Sequence, residues 1–134
     1  MSKLTSVQVA RRGGVNLESI RFYEREGLLP KAPRGANGYR AFTEDDVRRV
    51  RFIKRAQELG FSLKEIGELL ELRNDAGSAC SRARTHANEK IAQIECKIRE
   101  LRKIRLALLQ LTKTCNPARK SGCAILEKLE TDGE

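Results

Sequence analysis

The residues of this chain with the most specific chemistry are its four cysteines, Cys80, Cys96, Cys115 and Cys123. Cys115 and Cys123 bracket the loop Asn116-Pro117-Ala118-Arg119-Lys120-Ser121-Gly122, in which Pro117 and Gly122 let the chain curl. Two thiols at this spacing can reach one soft metal ion, but the spacing is too wide for a CxxC redox pair. Arg119 and Lys120 lower the cost of holding thiolates nearby. A two-cysteine loop is ordinary by itself. Cys80 adds weight, because it stands just before a long helical pattern that Cys115 and Cys123 follow.

That pattern runs over residues 81–112. Ala87, Ile91, Ile94, Ile98 and Leu101, then Ile104, Leu108 and Leu111, recur in steps of three and four between Lys, Arg and Glu. The spacing predicts a helix with one narrow apolar seam, the pattern of a coiled coil. A helix of about 30 residues is roughly 45 Å long, more than a small core can cover. The seam needs a partner, and a second copy of the chain is the simplest one. If two such helices pair antiparallel, Cys80 of one protomer approaches Cys115 and Cys123 of the other, giving a three-sulfur site at each end of a homodimer. Three thiolates suit a thiophilic cation, Hg(II) most naturally as a trigonal site, with Cd(II), Pb(II) or Zn(II) as competitors. Mg(II) and Ca(II) would not be selected. Cys96, in mid-helix, reads as a packing residue or a half-exposed thiol. His86, the single histidine, reads as a polar surface residue, with a fourth-ligand role as the alternative. Residues 124–126 and Leu129 predict a short closing helix that pins the cysteine loop.

The formal charge of +9 favours a polyanionic partner. No apolar run reaches the length that crosses a bilayer, and no secretory signal is evident, so a cytoplasmic protein without membrane attachment is expected. Cysteines there serve as free thiols, metal ligands or redox groups rather than structural disulfides. All six aromatic residues lie in the first half. The chain divides into a module over 1–73, a hinge over 74–80, the dimerisation helix 81–112, and a metal-binding loop with a terminal helix over 113–134.

In the first module, residues 7–12 predict a short helix capped by Ser6 and ended by Gly13-Gly14, and Asn16 caps a second helix to about Glu24. Two short helices joined by a tight glycine turn are the outline of a helix-turn-helix. The second helix carries Glu18, Ser19, Arg21 and Tyr23, donors and short polar groups suited to a major groove. Residues 31–42 suggest a small two-stranded wing presenting Arg34 and Arg40 to phosphates, with a solvated basic loop as the alternative. Tyr39 is either a core anchor for the wing or a phosphate donor. Thr43 with Asp46, and Ser62 with Glu65, predict the capped starts of a third and a fourth helix. Val7, Val9, Ile20, Phe22, Leu28, Val47, Val50, Phe52, Ile53, Phe61, Ile66 and Leu69 are the candidate core. The fold class expected is mainly α: a winged helix-turn-helix DNA-binding domain, a long antiparallel coiled-coil dimerisation helix, and a short C-terminal metal-binding loop and helix.

Three stretches resemble the MerR family of metal-responsive transcription regulators. They are Gly14-Val15-Asn16-Leu17-Glu18-Ser19-Ile20-Arg21-Phe22-Tyr23-Glu24 with Gly27-Leu28-Leu29; Gly38-Tyr39-Arg40; and Phe52-Ile53-Lys54-Arg55-Ala56-Gln57-Glu58-Leu59-Gly60-Phe61-Ser62-Leu63-Lys64-Glu65-Ile66. The resemblance implies a dimer on double-stranded promoter DNA whose two recognition elements are too far apart for RNA polymerase. It implies repression without metal, and activation when the effector makes the protein underwind and kink the DNA. Ser19, Arg21, Tyr23 and Arg40 correspond to family DNA-contacting positions, and Cys80, Cys115 and Cys123 to the cysteines of the mercury-sensing branch. The loop is one residue shorter than in the best-known mercury sensors and equals that of Cu(I) sensors, which carry serine where this chain has Cys80. Cadmium and lead sensors also use three cysteines and end somewhat like Cys123-Ala124-Ile125-Leu126, but tend to carry a further cysteine where residues 11–15 have none. Hg(II) is therefore the effector expected, with Cd(II) or Pb(II), then Zn(II) or Cu(I), as alternatives. A thiol redox-sensing DNA-binding protein is the rival from another class. No Ser/His/Asp set, paired carboxylates or phosphate-cradling loop points to an enzyme.

Overall fold

A computed structural model of the chain describes residues 3–35, 38, 40–75 and 77–131. The described helices are α1 (Ser6–Gly13), α2 (Leu17–Arg25), α3 (Glu44–Glu58), α4 (Leu63–Leu72), α5 (Ala79–Thr114) and α6 (Ala124–Thr131). The chain falls into two compact units, Met1–Lys90 and Ile91–Glu134, with α5 running across the boundary between them.

In the first unit each helix start follows from local chemistry. Asn16 accepts the Ser19 N–H at 2.8 Å, and Thr43 with Asp46 and Ser62 with Glu65 form the reciprocal boxes expected. For α1 the cap is Thr5 rather than Ser6. Thr5 is extended and exchanges bonds with Gln8 at 3.2 and 2.8 Å, whereas Ser6 is already helical. Gly14 then turns the chain from α1 into α2 with φ 74°, a backbone conformation that L side chains rarely adopt. Gly13 serves a different need: a Cβ there would lie 2.4 Å from Val50 Cγ1. The end of α1 is pressed directly on α3.

The core of this unit is built from Val9, Ile20, Leu29, Phe42, Val47, Val50, Ile53 and Ile66, all fully buried. Val7 is not part of it and is 53% exposed, because α1 turns Val9, Ala10 and Gly13 inward instead. Phe22, Phe52 and Phe61 pack at the edge.

The wing expected over 31–42 does not form among the described residues, so the helix pair is not a winged helix-turn-helix. Among the described residues there is no β-strand, only two isolated antiparallel bridges, Leu4–Phe42 and Arg34–Arg40. Phe42 pairs with the segment before α1, exchanging bonds of 2.9 and 2.8 Å with Leu4. Pro33 has no N–H to offer a ladder. The Gly38 carbonyl is taken by the Arg34 guanidinium at 2.9 Å. The segment is a loop held by these two bridges, by the Ala41 N–H donating to the Pro33 carbonyl at 2.9 Å, and by the Arg34 side chain.

After α4, Asp75 accepts from Ser78 Oγ at 2.7 Å and from Arg82 at 3.0 Å, while Ala76 lies outside the described residues. The long helix begins at Ala79, earlier than residue 81, so Cys80 lies inside its first turn rather than ahead of it. No residue of its 36 is buried. In the second unit Ile91, Ile94, Ile98, Leu101, Ile104 and Leu108 all stand exposed.

Replacing Gly13 by Ala should force Val50 or α1 to shift, lowering stability by about 1–3 kcal/mol in thermal or denaturant unfolding. Glu65 offers a test of acid sensitivity. Its carboxyl is pulled from 4.5 down to about 2, first by the Ser62 backbone N–H and then by Lys90. A folded value below the unfolded one means stabilisation that is present above the ordinary value and lost as pH falls toward the folded one. Melting across about pH 6 to about pH 3 should therefore show a smaller loss for Glu65→Gln, which keeps the capping geometry without the charge.

Candidate functional site

Residues named for DNA binding gather on the first unit, but in two different settings. Arg21 is exposed on α2 and pairs with Glu18 at 3.0 Å. Arg34 is exposed, and Arg40 pairs with the buried Glu24 while lying 5.4 Å over the Phe42 ring. Arg21, Arg34 and Arg40, joined by Arg25 and Lys31, line one shallow depression that also includes Glu24. Five cations against one carboxylate make a surface suited to phosphate oxygens. Arg25 had a sequence signal, since it follows Arg21 by one helical turn; Lys31 had none beyond its charge.

Ser19 and Tyr23 are placed differently. The Ser19 N–H and hydroxyl both donate to Asn16 Oδ1, at 2.8 and 3.0 Å, so it is engaged at the start of α2. Tyr23 is buried, and its phenol donates to Gln57 Oε1 at 2.9 Å, tying α2 to α3. Burial pushes the phenol pKa up, which keeps it a neutral donor. Tyr39 lies outside the described residues.

All four cysteines are free thiols. Cys80 is exposed, whereas Cys115 and Cys123 are half-buried on either side of the loop after α5. Several bonds shape that loop. The Ala118 N–H donates to Asn116 Oδ1 at 3.0 Å, and the Glu127 N–H to the Cys123 carbonyl at 2.9 Å. Arg119, expected beside the thiols, pairs with Glu127 on α6 at 3.0 Å. Gly122 adopts φ 73° where a Cβ would lie 2.6 Å from Glu127 Oε1. The sequence pattern had not shown this brace, because it joins residues eight apart across a turn.

Among the described residues of one chain, no three His, Cys, Asp or Glu side chains converge on a metal position. The three candidate ligands fall in different units, Cys80 in the first and the others in the second. Free thiols fit a soft ion as donors. Cys96 is exposed and lies 3.7 Å from Glu100 Oε1. His86 is 3.8 Å from Glu68 on α4. No described helix is long and apolar enough to cross a membrane.

These features have counterparts in known proteins. Residues 4–72 match the MerR helix-turn-helix family of regulatory proteins, and residues 47–111 match the MerR DNA-binding family. The chain is 38% identical to the mercuric resistance operon regulatory protein of Serratia marcescens, an alignment covering 100% of this chain and 92% of that protein. Its fold is similar to the transcription regulator PbrR691 from Ralstonia metallidurans CH34 in complex with lead(II), with a TM-score of 0.84 and 30% identity. That match covers 94% of this chain and 98% of that one. It is similar also to MerR from Bacillus megaterium MB1 in complex with mercury(II), with a TM-score of 0.75 and 35% identity, covering 93% and 97%. With its glycine-turned helix pair, cationic depression and exposed helical seam, the chain belongs to the MerR family of metal-responsive transcription regulators, proteins that bind double-stranded DNA as dimers, work with RNA polymerase and are not enzymes.

Proposed function

We propose that this chain is a mercury(II)-responsive repressor and activator of a mercury resistance operon. The observation that carries the reading is the distribution of free thiols. One is exposed in the first turn of a 36-residue helix, and two lie just beyond its end. Antiparallel pairing through the exposed seam would bring Cys80 of one protomer to Cys115 and Cys123 of the other. As thiolates these three would hold the ion, which when bound supplies a covalent-strength tie between protomers. The mercuric resistance regulator of Serratia marcescens and the mercury-bound MerR of Bacillus megaterium support this choice of ion.

The rest of the chain takes the corresponding parts. Residues 1–73 bind the promoter, with Arg21, Arg34 and Arg40 on phosphates or base edges and Tyr39 as a further phosphate donor. Ser19 and Tyr23 orient α2 from its start and from beneath. Residues 74–80 join this module to the dimerisation segment 81–112, and 113–134 carry the two loop thiols. Held by Cys80, Cys115 and Cys123, the ion would redirect α2 on the two half-sites and distort an overlong promoter spacer so that RNA polymerase could engage it. A lead(II)- or cadmium(II)-responsive regulator is the second reading, favoured by the likeness to the lead-bound regulator.

A competitive titration of Hg(II), Cd(II), Pb(II), Zn(II) and Cu(I) against transcription in vitro tests the ion; a larger response to any ion other than Hg(II) overturns the mercury assignment. Cys80→Ser should abolish induction while operator affinity stays within about twofold. Co-expressing Cys80→Ser with Cys115→Ser should restore thiolate–metal absorption in the mixed dimer, because one end keeps a complete set. No recovery would mean that the ligands do not come from both protomers. Arg21→Ala should weaken operator binding and lower the log–log salt slope by about 1, with metal affinity retained.

A further inference from the structure

Arg82, His86 and Lys90 on the first turns of α5 face three carboxylates from the α4 side. Arg82 pairs with Asp75 at 3.0 Å, His86 lies 3.8 Å from Glu68, and Lys90 pairs with Glu65 at 2.9 Å. The three side chains recur every four residues and so share one helix face. The carboxylates meet them in reversed chain order, as antiparallel neighbours must. The rungs are not equivalent. Exposed pairs such as Arg82–Asp75 contribute little, whereas Lys90 and Glu65 are the most shielded, with side chains 13% and 24% exposed. Lys90 also lies 5.6 Å over the Phe61 ring. Phe61 packs against the core, and its N–H donates to the Ala56 carbonyl at the end of α3. Glu65 for its part closes the cap of α4 through Ser62. One ammonium group thus ties the start of α5 to the α3–α4 corner, and α3 carries α1 on Val50 and α2 through Gln57.

We propose that Lys90 is the positioning residue through which metal capture at Cys80 is transmitted to the DNA-binding helices, acting through Glu65 and the Phe61 ring. This deepens the function proposed above and rests on it. Cys80 lies on the same helical segment, ten residues or about 15 Å ahead. A displacement of that segment is carried to the corner only while a stiff, directional contact joins them, and the shielded ammonium–carboxylate pair is the best candidate among the three rungs. Without it the segment would move, and the corner would not follow.

The test uses the full-length dimer on promoter DNA with Lys90→Met, which keeps an unbranched stem, Glu65→Gln, which keeps the cap, and Lys90→Arg, which keeps the charge. Each is assayed for melting temperature, operator affinity, metal affinity and transcription, with the ion of the five above that gives the wild type its largest response. A base analogue in the promoter spacer reports DNA distortion separately from transcription. Lys90→Met and Glu65→Gln should lose about tenfold or more of the metal-induced transcription and distortion, with operator and metal affinities within about twofold of wild type, and Lys90→Arg should keep most of the response. Full response in Lys90→Met overturns the inference. So does a parallel fall in melting temperature, operator affinity and response, which would make Lys90 a prop of the fold. A wild type that binds and responds to none of the five ions overturns the proposed function and this inference together, whereas a responding wild type with responding variants overturns this inference alone.

Discussion

A helix of 36 residues with no buried side chain has little to hold it straight in water. Its Ile91, Ile94, Ile98, Leu101, Ile104 and Leu108 lie exposed in one copy, and each is worth about 1.5–3 kcal/mol when fully buried. Association through that stripe is therefore a condition of the helix itself. Dimerisation, on this view, precedes sensing as well as DNA binding. Antiparallel pairing would also explain why the candidate ligands sit at opposite ends of one helix. Residues remote along a chain become neighbours only when the chain is doubled back by its partner.

The DNA-binding module solves a different problem, which is to hold short helices and a strandless loop in one arrangement. Arginine supplies much of the solution. Arg49 donates to the Leu28 carbonyl at 2.8 Å, Arg51 to the Arg12 carbonyl at 3.0 Å, and Arg12 forms two bonds of 2.6 Å to Glu44. The first two satisfy backbone carbonyls in the turn after α2 and at the end of α1, and the third is a side-chain ion pair that joins α1 to the start of α3. Arg40 shows how one residue serves two purposes. Its pairing with Glu24 keeps a buried carboxylate from being left alone, and the same guanidinium borders the cationic depression. The high positive charge is thus partly structural. Counting it wholly as DNA affinity would overstate the interface.

Legibility in the sequence varied with the range of the interaction. The caps at Asn16, Thr43 and Ser62 could be read because they join residues three apart. Thr5 could have been read in the same way, since Gln8 stands three residues on. The wing could not be settled locally. Residues 31–42 do pair with themselves, at the Arg34–Arg40 bridge and through the Ala41 N–H to the Pro33 carbonyl at 2.9 Å, but Phe42 spends its backbone bonds on Leu4 instead of extending that pairing. Tyr23 illustrates the same limit. Its place on the second helix suggested a groove contact, yet its hydroxyl belongs to Gln57, 34 residues away.

By itself the sequence determined the order of the helices, the caps of α2, α3 and α4, the soft character of the cysteine donors, and the apolar stripe that calls for a partner. These rest on chemistry within a turn or two of chain, and on a period that repeats. Tertiary structure alone decided that no strand forms among the described residues of 31–42, that Val7 faces water while Tyr23 faces α3, and that Lys90 reaches the α3–α4 corner. Each of those outcomes is a choice among distant partners, made by burial and by the satisfaction of polar groups in three dimensions. Local pattern carries no record of which partner is nearest once the chain has folded.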